Sequence, residues 1–187
     1  MPRAGLSTSA VVDAAVAVID EQGVSGLTLA AVAARTGVAA PSLYKHVRGL
    51  ADLGTLVAVR ILDEMTERYT AAVMGRSGAD AVASLMRACR SYVTAHPGRY
   101  AAVPMDPLHD AALQAAGTRL LEVVFATLRG YGLDDSAAVH ATRRLRVIVH
   151  GFVSIEAAGG FGLPEGLDDT FEQLIHMYVT DLSTREN

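Results

Sequence analysis

The sequence predicts an all-α protein: an N-terminal three-helix helix-turn-helix domain joined to a larger antiparallel helical domain. Apolar residues recur at helical spacing along nearly the whole chain, and no segment alternates as strands do. Helix start and stop signals recur at intervals that leave only short connections, as antiparallel packing requires. Near the start, two short helical stretches flank a glycine turn and follow a supporting helix. The expected division is 1–52 for the helix-turn-helix domain, with its motif at about 28–47, and 53–187 for the larger domain.

Val12, Ala15, Val16 and Ile19 form one apolar stripe, capped ahead by Ser7, stapled by Leu6 and Val11, and closed at Gly23. Thr28 caps a second helix running to about Arg35, and Gly37 supplies the turn. Pro41 suits the first turn of a third helix, Pro41 to Val47, which stops near Gly49. A long helix follows from about Leu50 to Met74, closed by Gly75. Ser77 caps the next, with Asp80 in its first turn, and it runs to about Ala95. After the break at His96-Pro97-Gly98 comes a short helix through Val103. Asp106-Pro107 reads as a cap and first helical residue for a helix to about Arg129. Asp134 and Asp135 open another that ends at Gly159-Gly160-Phe161-Gly162, and the last runs from Asp168 to about Ser183.

At 51% hydrophobic and 19% charged residues, the chain lies in the globular range. Its longest charge-free run, Gln22 to Ala34, has 13 residues, short of the roughly 20 that a membrane span needs. The N-terminal stretch lacks the apolar core of a secretion signal, and Cys89 is alone, so a cytoplasmic location is expected. The net charge is −4, but residues 1–60 carry five basic and four acidic groups, leaving −5 on the remaining 127. Arg35, Lys45, His46 and Arg48 fall within fourteen residues that contain no acid, a local positive patch on an acidic body.

The third helix suits a DNA groove. Leu43 and Val47, four apart, would pack inward and leave Ser42, Tyr44, Lys45 and His46 on or near the outward side. A hydroxyl, a phenol, an ammonium and an imidazole within one turn are donors suited to phosphates or base edges. By local chemistry alone, an exposed polar turn without a partner explains the same residues equally well.

From Val12 to Leu56 the chain resembles the N-terminal domain of the TetR family of bacterial regulators, almost element by element. The resemblance rests on Gly23, Gly26-Leu27-Thr28, Val32-Ala33, Gly37-Val38 and Ser42-Leu43-Tyr44-Lys45-His46-Val47 together at fixed spacing. It implies that Thr28 meets phosphate, that Pro41, Ser42 and Lys45 face bases, and that Tyr44 and His46 grip the backbone. Leu50 stands where the family usually has a lysine, so Arg48 is the expected substitute for that contact. Ala30 and Ala40 are short where some members read bases, which shifts sequence preference toward DNA shape and thymine methyl groups. The stretches Arg146 to Phe152, Glu156 to Gly159 and Ala95 to Tyr100 resemble the ligand-binding domain of one subgroup, although the tryptophan of its Trp-His-Gly motif is absent.

The resemblance further implies a homodimer on a palindromic operator, working as a repressor and released by a small, mostly apolar ligand. The expected dimer face takes Ile148 and Phe152 from one helix and Phe171, Leu174, Ile175, Tyr178 and Leu182 from the last. The stripe on the last helix would serve equally for burial within its own domain. The expected ligand pocket draws on Met86, Cys89 and Tyr92, on Tyr100 and Met105, on Leu121 and Phe125, and on His150 and Phe152. No nucleophile elbow, zinc-protease helix or phosphate loop is present, so no catalytic residue, metal or cofactor is expected. Ser154 lies one turn after His150 without a third group to orient the histidine, and the other histidines lack metal spacing. A helical interaction module without DNA binding, or a small helical enzyme, is the alternative.

Overall fold

Ser7 accepts a hydrogen bond from the Ala10 N–H at 3.1 Å and so starts α1 (Thr8–Gln22). In this computed structural model, residues 6–184 are described and all their regular elements are helical; Arg3, counted above among the basic groups, lies outside them. Two compact units result. One comprises residues up to Glu64 together with His96–Thr118; the other comprises Met65–Ala95 and the residues from Arg119 onward.

In the first unit the whole predicted stripe of α1, Val12, Ala15, Val16 and Ile19, is buried, and Val11 with it. A 3-10 turn at Val24–Gly26 follows. A β-carbon on Gly26 would stand 2.4 Å from the Gln22 Cβ, so only glycine lets the chain fold back this closely. Thr28 then caps α2 (Leu29–Thr36), its Oγ1 accepting the Ala31 N–H at 3.0 Å. Gly37 closes α2 in the left-handed conformation at φ 69. Its N–H donates to the Ala34 carbonyl and that of Val38 to the Ala33 carbonyl, a Schellman arrangement. A residue with a β-carbon here would meet a cost of about 1–2 kcal/mol, least for Asn or Asp.

The third helix is shorter than expected. As regular α-helix it spans only α3 (Ala40–Leu43), and the stretch through His46 continues as tighter turns. The N–H groups of Tyr44, Lys45 and His46 donate three residues back, to the carbonyls of Pro41, Ser42 and Leu43. So short a segment draws little from helix propagation and takes its shape from its buried anchors. α4 (Leu50–Val73) begins in this unit. α6 (Pro97–Ala102) is held by Arg99, which binds Asp20 on α1 and Glu64 on α4, each at 2.7 Å.

A second correction concerns Asp106-Pro107, which starts no helix; residues there form turns. The Asp106 carboxylate accepts from the His109 ring at 2.8 Å and also meets the backbone N–H groups of Leu108 and His109, but the chain does not continue from there as a helix. Nucleation passes to Asp110, whose side chain accepts the Ala112 N–H and whose carbonyl accepts that of Gln114, and α7 spans Gln114–Leu128.

The second unit packs α5 (Gly78–Ala95) against α8 (Asp135–Ala157) and α9 (Leu167–Thr184). Asp134 caps α8 by accepting the Ala137 N–H at 2.7 Å. Arg90 is the hub of the unit. Its guanidinium bridges Glu156 at 2.6 Å and Asp168 at 2.8 Å, and lies 5.1 Å from the ring centres of both Phe152 and Phe171. The Tyr178 hydroxyl donates to the Ala141 carbonyl at 2.9 Å, tying α9 to α8.

This packing corrects the expected dimer face. Phe152, Phe171, Ile175, Tyr178 and Leu182 are buried in the protomer's own core, because the apolar stripe of α9 is consumed against α5 and α8. Ile148 and Leu174 stay half-buried. What points outward instead is Val139, Val147 and Ile155 on α8 and Met177 on α9, with Val147 71% exposed.

The residues of the expected ligand pocket fall in both units. Met86, Cys89, Tyr92 and Phe152 are core residues. Tyr92 meets Tyr69 edge to face with ring centres 6.5 Å apart, and burial pushes the Cys89 thiol up to about 12, which favours the protonated form. Tyr100 and Met105 belong to the first unit, and Met105 is exposed. Leu121, Phe125 and His150 are half-buried. Phe125 lines a cleft of about 370 Å³ with Leu128, Leu133, Ala138, Val139, Arg129 and Asp135, none of which was expected. Among the described residues no cluster of three or more His, Cys, Asp or Glu side chains is placed to hold a metal, and no helix is long and apolar enough to cross a membrane.

Candidate nucleic-acid interface

The interface is built around two anchors. Leu43 is fully buried and Val47 is 2% exposed. With both held in the core beside Val32 and Ala33 of α2, the residues between and around them are turned outward. Pro41, Tyr44, Lys45 and Arg48 are exposed, whereas Ser42 and His46 are half-buried. The Tyr44 ring is 60% exposed, an unusual position for a large aromatic without a partner. Thr28 sits exposed at the start of α2. Its oxygen is occupied as acceptor from Ala31, which leaves the hydroxyl hydrogen available to donate outward.

Charge is where the fold departs most from the linear reading. The acid-free window holds three of the cations counted, but the fold brings carboxylates to two of them from outside it. Glu21 pairs with Arg35 at 2.8 Å, and Asp52 pairs with Arg48 at 2.7 Å. Arg60 meets Asp13 at 3.2 Å. Lys45 has no ion-pair partner among the described residues, so it carries the uncompensated charge of this surface. Local spacing gives no sign of the Glu21–Arg35 pairing, whose members are fourteen positions apart. Asp52 was legible as a first-turn acid of the long helix, and its side chain does accept the Arg48 N–H at 2.9 Å.

A short outward helix on two buried anchors, set by a left-handed glycine behind a capped supporting helix, defines a helix-turn-helix DNA-binding regulator. Residues 11–50 match the model for bacterial regulatory proteins of the tetR family, and residues 82–178 match that for the tetracyclin repressor-like C-terminal domain. The chain belongs to the TetR family of transcriptional regulators, which are not enzymes. It is 32% identical to the HTH-type transcriptional regulator YobS of Bacillus subtilis, over 97% of this chain and 95% of that protein. It is 37% identical to the HTH-type transcriptional regulator Rv0681 of Mycobacterium tuberculosis, over 83% of this chain and 72% of that one. Its fold superposes on the TetR regulator SCO7222 of Streptomyces coelicolor with a TM-score of 0.79 at 19% identity, covering 98% of this chain and 100% of that one.

Proposed function

We propose that this regulator binds a palindromic operator in the cytoplasm as a C2 dimer, through the segment Pro41–Arg48, and that a small, mostly apolar effector releases it. The observation that carries the reading is the outward presentation of Pro41, Tyr44 and Lys45 over the buried pair Leu43 and Val47. In this reading Pro41, Ser42 and Lys45 face base edges, while Thr28, Tyr44, His46 and Arg48 contact the phosphate backbone. Repression by occupancy is the mode expected. A gel shift on the DNA flanking the gene tests it: Lys45→Ala and Tyr44→Ala each weaken binding about tenfold or more, with unchanged helical circular dichroism. Wild-type affinity in both variants would remove this segment from the interface.

One such helix contacts few bases, so a pair reading half-sites about 34–36 Å apart supplies usable affinity. The outward apolar residues of α8 and α9, Val147 above all, support a pairing surface. Val147→Glu is expected to shift the chain to a monomer in light scattering and to remove operator binding while leaving it folded. A dimer that survives this change pairs through another face.

For the effector, the cleft beside Phe125 is of a size that holds small molecules, its walls largely apolar with Arg129 and Asp135 at hand for polar groups. An effector acts only by binding the non-DNA conformation more tightly.

A further inference from the structure

Arg48 follows the outward helix directly, and its side chain is 91% exposed. It is nevertheless pinned. Its Nη2 and Nε donate to Asp52 Oδ1 at 2.7 and 3.2 Å, while its own backbone N–H donates to Asp52 Oδ2. One carboxylate thus fixes both the backbone and the guanidinium of a residue at the edge of the DNA-facing surface. The first unit repeats the pattern, for each of its described arginines has a carboxylate partner: Arg35 with Glu21, Arg60 with Asp13, and Arg99 with Asp20 and Glu64.

Binding to DNA of any sequence is driven by uncompensated cations that displace counterions from phosphates. A guanidinium already sharing its charge with a carboxylate displaces fewer. It keeps its remaining N–H donors, however, and it is held in one orientation before DNA arrives. Asp52 itself repels phosphate in any loosely seated complex. We propose that Asp52 determines specificity in this regulator: by holding Arg48 it suppresses binding to arbitrary duplex more than binding to the operator. This rests on the reading of Pro41–Arg48 as the DNA-contacting segment. The Arg48 guanidinium holds the Asp52 carboxyl below its ordinary range, so the pair stays charged at neutral pH.

The test titrates wild type, Asp52→Asn, Arg48→Ala and the double variant against two duplexes over a range of salt. One duplex is the DNA flanking the gene, the other a scrambled sequence of equal length. Asparagine keeps an oxygen for the Arg48 N–H but removes the charge, and Asp52→Ser retains a capping hydroxyl as a second route to the same result. The expected outcome is tighter binding to the scrambled duplex, about tenfold at low salt, with a salt slope steeper by about 0.9 for each protomer bound. The ratio of specific to scrambled affinity narrows, and most of this gain vanishes in the Arg48→Ala background. An unchanged salt slope, an equal gain on both duplexes, or a full gain without Arg48 would each overturn the proposal. Lys45→Ala, run alongside, separates the two levels. If it abolishes binding while Asp52→Asn changes nothing, only the role of Asp52 fails; if it binds as wild type does, the interface itself is wrong.

Discussion

Replacing Arg90 with alanine lowers the unfolding free energy by about 3 kcal/mol, read as a lower denaturant midpoint at unchanged m-value. The reasoning starts from what the guanidinium leaves behind. Glu156, only 17% exposed, loses its bidentate partner and becomes a half-desolvated charge with nothing to offset it. The rings of Phe152 and Phe171 lose the cation that lies against both, a further contribution of about 0.5–2 kcal/mol. Asp168 adds little, since at 91% exposure water replaces the lost contact. Arg90→Lys should recover less than half of the loss, because a point charge cannot reproduce the fork that meets both Glu156 oxygens. A variant within about 0.5 kcal/mol of wild type would show that α8 and α9 are held without the Arg90 cluster. The consequence reaches function, because α8 carries Val139, Val147 and Ile155 of the outward apolar face.

Arg90 also marks the limit of what the linear sequence discloses. Caps and turns are local chemistry, and Ser7, Thr28, Gly37 and Asp134 all act as the residue types dictate. The inward pair Leu43 and Val47 follows from helical spacing and is buried as expected. Partners far apart in sequence have no local signature: Arg90 finds Glu156 and Asp168, and Arg99 finds Asp20, only once the chain has folded. The acid-free window around Lys45 misled for this reason. Charge counted inside that window omits carboxylates beyond its ends: Glu21, on another helix fourteen positions from Arg35, and Asp52, four positions after Arg48, turn a patch of cations into one uncompensated lysine. Asp106-Pro107 shows the converse failure: its carboxylate meets both the His109 ring and the local backbone, yet the chain runs on as turns and the helix starts only at Gln114. The dimer face was misassigned because an amphipathic stripe looks the same whether its partner is the protomer's own core or a second copy. Only the packing of α9 on α5 and α8 distinguishes them.

Leu43→Ala is expected to cost about 3 kcal/mol and to abolish operator binding, two losses with one origin. Leu43 is fully enclosed, and truncating such a leucine costs about 2–5 kcal/mol, depending on how far the site can collapse. Here the collapse has a particular direction. α3 has four residues as regular helix and is prolonged only by three-residue turns, so its backbone hydrogen bonds cannot hold its shape unaided. Its orientation comes from Leu43 and Val47 gripping the core, and a loosened anchor lets Tyr44 and Lys45 wander from the positions that a groove requires. Leu43→Met keeps the volume and should cost less than about 1.5 kcal/mol with binding retained. Lys45→Ala supplies the contrast, since it weakens binding about tenfold or more but leaves the denaturant midpoint where it was. Stability and affinity therefore fall together at position 43 and separately at position 45. A Leu43→Ala chain that bound its operator with wild-type affinity while folded would mean that the outward segment holds its shape without the core beneath it.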